Sequence, residues 1–572
     1  MINNYKIKTH HTLNNWFQPE SKIDVNDQIL NVILDKIPSH QRDHFLNPKI
    51  SDIPSPFLLK NIDKAVSRFV DAVKNNKHIV IVGDYDVDGV TSVALLVRFF
   101  ATLNYSDYST FIPNRFQHGY GISDKSIEAL IALKPDLIIT VDNGITARVE
   151  IEKLQEKGIQ VIVTDHHIPQ LGQIPDCEVI NPKLDGCAFP HDDISGVGVV
   201  FLFIIAIRTV LRDQGFWSDI LPEPNLLEFL DLVTLGTVAD QVPLIGLNRF
   251  FVKFGLEQMS RKIQIPYPGL FYTYLKTFSQ NNNTLFFNCD TINFKIAPML
   301  NAAGRMQDAS IALDFLKPAS NENALRSYFK LEKLNKSRKQ LQQKLYQKAK
   351  AIADEKIKTK MSLVLYDSSF HEGLIGIIAN RLSDQYHMPA IALTHGEDGK
   401  LKGSCRSKNQ NILKLLESCS SFLIQYGGHA NAAGCSLHKE NLAKFEDLFD
   451  AHCRQTTMTD NASYFETDIE VTPYMVTPEL VDKINQMAPF GQGNSKPYFM
   501  LNNIELADPV VLSGNHLKWN LNHQLELVFW EGQRYFKKPG CYQIACSLKD
   551  NLFRGIRKAQ LVVKTMSNQI EK

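Results

Sequence analysis

Apolar positions along the chain repeat at two spacings, and the switches between them mark out several folded units. From Asn61 to Asn75 they fall at helical intervals, with Ala65, Phe69, Val70 and Val73 on one side. The continuous run Ile79–Val82 reads as a buried strand that stops at Gly83, and VTSVALLVRFF returns to the helical period. After a loop demanded by Pro113, Gly119 and Gly121, Ser123 caps a helix with Ile127, Leu130 and Ile131 inward. Strand LIITV follows, then a helix through Val149, Ile151 and Leu154 closed by Gly158, then strand IQVIVT. Strands alternating with helices in this way predict an α/β fold with a parallel sheet.

Two helices are expected next. ISGVGVVFLFIIAI reads as a buried helix entered through glycines, which we assign to packing, and NLLEFLDLVTLGTVADQVPL predicts a helix ending near Asp240. Residues 321–358 are rich in Lys, Gln and Glu, with Leu334, Leu341 and Leu345 at helical spacings, and predict one long connecting helix. No heptad is sustained there, so a coiled coil is not expected. A second α/β unit follows (SLVLY, GLIGIIANRLSDQY, AIAL, then LKGSCRS and IQYGGHANAAGCSL). From Glu466 the pattern becomes about five short β runs with polar turns (YFMLNNIEL, HLKWNLN, LELVFW, CYQIACSL and AQLVVKT), which suits a small barrel such as an OB-fold. The first 50 residues show a helix-like stretch near Val25–Lys36 and no readable chemistry.

Polar chemistry gathers at the carboxyl ends of the parallel strands, where open α/β sheets place ligands. Asp84, Asp86 and Asp88 follow the first strand, Asp142 another, and Asp165, His166 and His167 a third. Three carboxylates held together are costly without a cation. A hard divalent ion bound through oxygen, Mg²⁺ or Mn²⁺, compensates them. Taken alone, the first motif reads equally well as an acidic surface turn. Acidic and imidazole groups at three strand ends, with Asp240 at a helix end, favour a metal site. The candidate ligands are Asp84, Asp86, Asp88, Asp142, His166 and Asp240. Two ions about 3.5–4 Å apart, bridged by one carboxylate, would use all of them and would suit phosphoryl displacement. His167 is a candidate to hydrogen-bond the phosphate or protonate the leaving group.

A phosphate substrate also needs cations. Arg115 lies in a Gly-flanked loop, Arg305 in MLNAAGRM, Arg381 in a helix and Arg406 in GSCRS. Guanidinium groups contact phosphate bidentately. Arg305 and Arg406 stand beside small residues that allow close backbone approach. YGGHANAAG would let phosphate or sugar reach main-chain N–H groups, with His429 as a donor. Tyr120, in GYG, is a candidate for base stacking or for core packing.

Composition narrows the class. At 572 residues the chain exceeds one ordinary core, and three or four domains are expected. Apolar content of 44% with 22% charge is that of a soluble globular protein. A net charge of +1 argues against a uniformly basic nucleic-acid binder but allows a local basic groove beside an acidic metal site. Nine cysteines without a CxxC pair read as reduced thiols of a cytoplasmic protein. The N-terminus lacks a signal-peptide core, and the longest apolar run, Val199–Ile207, is too short to span a bilayer.

With these residues in view, GDYDVDG, TVDNG, TDHH and LGTVADQVPL resemble the successive motifs of the DHH phosphoesterase family. MLNAAGRM, GLIGIIANRL, GSCRS and YGGHANAAG resemble its branch with an attached DHHA1 domain. The resemblance implies an N-terminal extension (1–50), a DHH catalytic domain (51–320), a connecting helix (321–358), a DHHA1 domain (359–457) and an OB-fold-like domain (458–572). It implies a two-metal (Mn²⁺ or Mg²⁺) 5′→3′ exonuclease that releases mononucleotides from single-stranded DNA, in DNA repair and recombination. In that scheme Asp86 serves one ion and Asp88 the other, Asp142 bridges, and His166 and Asp240 complete the second. Asp84 stands where other branches supply a histidine. His167 assists catalysis, Arg305 with Asn301 contacts the phosphate, and Ser404, Arg406, Gly428 and His429 hold the 5′ end. A single-stranded-DNA-binding protein and a RecQ-type helicase are the implied partners of a monomeric enzyme. The alternatives are a DHH phosphodiesterase on short oligonucleotides or cyclic dinucleotides, and a non-catalytic single-strand-binding scaffold.

Overall fold

Strand β1 (Lys6–His11) opens the chain, yet its hydrogen-bonded neighbour, β12 (Tyr464–Glu470), lies near the other end, with Lys6 opposite Tyr464 in parallel register. The computed structural model describes residues 6–568, apart from Tyr120, 263–286, 318–319, 397–398, 456–463 and Arg554. Within that span the chain builds three sheets.

The first sheet holds β2 (Ile79–Val82), β3 (Tyr108–Phe111), β4 (Leu137–Val141), β5 (Gln160–Thr164) and β6 (Glu178–Ile180), in the order β3-β2-β4-β5-β6. All pairings are parallel, as the βαβ pattern predicts. Alternate residues feed opposite faces. Ile79, Ile81, Leu137 and Ile139 meet helices Ile62–Lys74, Val87–Thr102 and Gly196–Asp213, whereas Val80, Val82, Ile138 and Val161 meet Ile127, Leu130, Ile151 and Leu154. Burial on both faces is why these strands read as unbroken apolar runs. Of the residues that mark the next helix in the sequence, Ile151 and Leu154 are buried and Val149 is 52% exposed on the outer side of helix Arg148–Gln155. The strand order reverses between β2 and β4, and such a switch point opens a crevice at the strands' carboxyl ends.

One 36-residue helix, Asn321–Lys356, leaves this unit. Leu331 and Leu334 belong to the first core, while Leu345, Tyr346, Ala349 and Ala353 belong to that of the second unit. The second sheet runs β10-β11-β9-β8-β7, from β7 (Leu363–Tyr366), β8 (Ala390–His395), β9 (Lys400–Arg406), β10 (Gln425–Gly428) and β11 (Ala432–His438). Only β7 and β8 pair in parallel; the other pairings are antiparallel.

The third sheet contains the five expected strands and three more. They are β13 (Tyr498–Leu506), β14 (Val510–Leu512), β15 (His516–Asn520), β16 (Leu525–Phe529), β17 (Gly540–Phe553) and β18 (Ile556–Asn568), with β1 and β12. The order β1-β12-β13-β17-β18-β16-β15-β14 is an open sheet by its hydrogen bonds. Its core takes Trp16, Ile29, Leu30, Ile33 and Leu34 from the start of the chain alongside Leu480, Phe499 and Leu527. The N-terminal residues are thus built into the C-terminal β unit. All nine cysteines are free thiols, and no helix among the described residues is long and apolar enough to cross a membrane.

Candidate metal centre

At the switch point, Gly83 ends β2 and helix Val87–Thr102 begins almost at once. Gly89 makes this possible, because a Cβ there would lie 2.5 Å from the Asp84 backbone nitrogen. Asp86 caps the helix, accepting a hydrogen bond from the Gly89 N–H at 3.1 Å. Asp142, just past β4, sits in the left-handed region at φ 61°, a strained backbone for a residue with a side chain. Asn143 supports it by donating to the carbonyls of Val82 (3.2 Å) and Val141 (2.9 Å), which ties the ends of β2 and β4 together.

The glycines of ISGVGVV serve packing, as the sequence indicates, and something more. Helix Gly196–Asp213 aims its first N–H groups at Asp88: Gly196 N donates to Oδ2 at 2.7 Å and Val197 N to Oδ1 at 2.9 Å. A helix N-terminus is a natural anion holder. A Cβ on Gly196 would fall 2.5 Å from Asp142 Oδ1, and one on Gly236 would fall 2.6 Å from Asp88 Oδ1. Two glycines therefore let two helices close over the carboxylates.

The predicted ligands converge. Ligand atoms of Asp84, Asp86 and Asp142 lie within 4.8 Å of one another, as do those of Asp88, His166 and Asp240, and those of Asp142, His166 and His167. His166 Nε2 stands 3.2 Å from Asp142 Oδ1, 3.7 Å from Asp240 Oδ2 and 3.9 Å from Asp88 Oδ2. Asp84 Oδ1 is buried and has no hydrogen-bond partner among the described residues. Burial, then the neighbouring carboxylates, pushes Asp84, Asp88 and Asp142 well above the usual carboxylate range. Asp240 rises to about 6 for the same reasons. Burial, reinforced by the charge of His167, lowers His166 to about 4, so its ring is a neutral ligand at physiological pH. Buried carboxylates with a neutral imidazole among them form a donor set that fits divalent cations.

Asp165, named in the sequence at this strand end but given no role there, is a further candidate of the site. Its Oδ1 accepts from the backbone N–H groups of His166 (2.7 Å) and His167 (3.1 Å) and pairs with His167 Nδ1 at 2.7 Å, while Oδ2 accepts from Ile145 N at 2.9 Å. Burial opposes charge on both partners, yet the shared hydrogen bond and mutual attraction win: Asp165 stays below the usual range and His167 rises to about 9. The adjacent imidazoles thus differ, one neutral among carboxylates and one protonated and oriented. The signal available was the Asp immediately before the two histidines.

The raised carboxylates have a consequence for stability. Without cations the folded state keeps protons that the unfolded chain releases above its ordinary carboxylate pKa. The cluster therefore favours folding at low pH and loses that contribution as pH rises, for Asp240 through about 6. Bound cations remove the penalty. The gain in melting temperature on adding Mn²⁺ should grow between about pH 5 and pH 8; a gain that shrinks over that range would contradict the cluster's assignment.

Around this centre, Arg115 stacks on Tyr85 with Cζ 4.1 Å from the ring centroid. Arg305 is mostly buried and donates to Gly373 O at 3.2 Å, so it reaches the second α/β unit. Burial, then the charges of Arg115 and Arg338, lowers it to about 10, still a cation at neutral pH. Asn301 precedes Arg305 by one turn on helix Ala297–Met306 and shares its face. Ser404 and Arg406 share one face of β9, with Arg406 Nη1 donating to Ser404 Oγ at 3.0 Å, and both pack against Gly376. Gly428 and His429 lie exposed at the turn into β11, where Ala432 pairs with Arg406. Arg381 stands apart, its guanidinium 3.7 Å over the Tyr346 ring of the long helix. Tyr120 lies outside the described residues. Arg115 and Lys402 line opposite walls of a cleft of about 760 Å³ between the two α/β units.

Comparison with known proteins agrees with this layout. Residues 78–237 match the DHH family N-terminal domain, 359–455 the DHHA1 domain and 467–565 the RecJ OB domain. The single-stranded-DNA-specific exonuclease RecJ of Haemophilus influenzae is 33% identical over 541 residues, covering 91% of this chain and 92% of that protein. Its namesake in Escherichia coli is 32% identical over 533 residues, covering 88% and 90%. The crystal structure of RecJ from Thermus thermophilus in complex with Mn²⁺ matches 99% of this chain and 80% of its own, with a TM-score of 0.79 and 26% identity. Motif order, three matched domains and near-full-length similarity lead to one assignment: the chain belongs to the RecJ family.

Proposed function

We propose that this protein is a metal-dependent 5′→3′ exonuclease that releases mononucleotides from single-stranded DNA. The observation that carries the reading is the interlocking of the ligand groups, which share Asp142 and His166, beside His167 held at Nδ1 by Asp165. Asp84, Asp86 and Asp142 are suited to one divalent ion, and Asp88, Asp142, His166 and Asp240 to the other. Held there, Mn²⁺ or Mg²⁺ would offset the carboxylate charge and would supply Lewis-acid stabilisation of negative charge on a phosphodiester. His167, held by Asp165, donates a proton toward the phosphate or the departing oxygen. Arg305, with Asn301 on the same helix face, binds the phosphate, while Arg115 flanks the strand's path.

In this reading Ser404, Arg406, Gly428 and His429 hold the 5′ end, and the β unit at 458–572 grips the strand farther along. The catalytic unit is 51–320, joined by helix 321–358 to the unit at 359–457, and the N-terminal extension, 1–50, folds with the C-terminal β unit through β1 and Trp16. We place the enzyme in the cytoplasm, as a monomer working with a single-stranded-DNA-binding protein and a RecQ-type helicase in DNA repair and recombination.

The reading is tested by hydrolysis in Mn²⁺ of single-stranded DNA, matched duplex and cyclic dinucleotide. Preference for the single strand supports it; preference for the dinucleotide would move the protein to another DHH activity. Arg406→Ala should also weaken single-strand binding and reduce the slope of log affinity against log salt by about 0.7, the loss of one phosphate contact. An unchanged slope would remove Arg406 from the phosphate.

A further inference from the structure

Asp240 differs from the other proposed ligands in ending a helix, Leu230–Ala239, directly before the connection to the next helix. That connection, Gln241–Ile245, starts in the left-handed region at Gln241 (φ 61°) and is roofed by a loop of the C-terminal β unit, Met487–Asn494. Leu244 N donates to Gln492 O at 2.7 Å. The fit is close: a Cβ on Gly491 would lie 2.7 Å from Leu244 Cδ1, and one on Gly493 (φ 72°) 3.1 Å from Pro243 Cβ. Asn494 closes the loop on itself, donating to Met487 O (2.9 Å) and Pro489 O (2.8 Å).

Arg249 then locks the loop from below. It lies on helix Gly246–Lys262, directly after the connection, and is 2% exposed. Its guanidinium donates to Phe45 O (2.7 Å), Met487 O (2.8 Å) and Ala488 O (2.9 Å), with Cζ 3.7 Å over the Phe45 ring. Nearby, Lys253 donates to Leu46 O, and Asn248 donates to Pro243 O at 2.9 Å, tying helix and connection together. A buried guanidinium is tolerable only when its donors are satisfied, and removing it leaves several carbonyls without a partner. Here all three of its acceptors belong to segments that fold with the C-terminal β unit.

We infer that the Met487–Asn494 loop, locked by Arg249, positions Asp240 for metal binding, so that Arg249 and Gly491 are positioning residues for the reaction. The inference rests on the proposed two-ion site. It makes the C-terminal β unit part of the metal centre's support as well as a separate DNA-binding module.

The test is calorimetric titration of Mn²⁺ into the full chain without DNA, for the wild type, Arg249→Met and Gly491→Ala, alongside single-strand affinity in EDTA. Both variants should bind one of the two ions about tenfold more weakly, as for lost support of a metal ligand, with DNA affinity close to wild type. Unchanged Mn²⁺ affinity, or loss of DNA affinity alone, would reduce the contact to a junction between units and overturn the inference. If Arg249→Met does not fold, Gly491→Ala decides, its fold checked by circular dichroism. A wild type that binds fewer than two Mn²⁺ would instead remove the two-ion reading beneath the inference.

Discussion

Replacing Asp142 with asparagine is expected to lower turnover on single-stranded DNA by on the order of a thousandfold or more, with the fold intact. Asp142 belongs to two of the three ligand groups and stands 3.2 Å from His166. Removing its charge weakens both proposed ion sites together, and each ion contributes several kcal/mol to transition-state stabilisation. Asparagine keeps the shape and suits the left-handed backbone at this position. It also relieves the crowding of negative charge, so the ion-free variant should melt at or above the wild-type temperature. Activity within tenfold of wild type would take Asp142 out of the centre.

Asp165→Asn should cost about a hundred- to ten-thousandfold in kcat, the range for losing a properly held general acid or base. Asp165 is no ligand in this account; it fixes the His167 ring and raises it to about 9. Without the carboxylate the imidazole loses its proton at lower pH. The alkaline limb of the kcat profile should therefore move toward neutrality in the variant, a shift that a purely structural role would not give. A uniform drop with an unmoved profile would contradict the assignment. Mn²⁺ affinity should change far less than in Asp142→Asn.

What the sequence disclosed follows from the range of the interactions involved. The parallel sheet was legible because its strands are buried on both faces and leave unbroken apolar runs, and because the chemistry is attached directly to their ends. Asp84, Asp86 and Asp88 announce themselves by local spacing. The grip of Gly196 and Val197 on Asp88 was not legible, since it depends on a helix more than a hundred residues away meeting that turn. The pairing of β1 with β12 was hidden for the same reason, and the C-terminal unit consequently showed five strands where the sheet has eight. Nothing in the local sequence marks Arg249; only the meeting of Phe45, Met487 and Ala488 around it gives it a role.

The most direct test of the central claim is product analysis with single-stranded DNA whose 5′ end is free or blocked, incubated with the protein and Mn²⁺. The account predicts mononucleotides, released from the free 5′ end and not from the blocked strand. Equal cleavage of both strands, or binding without cleavage, would contradict it.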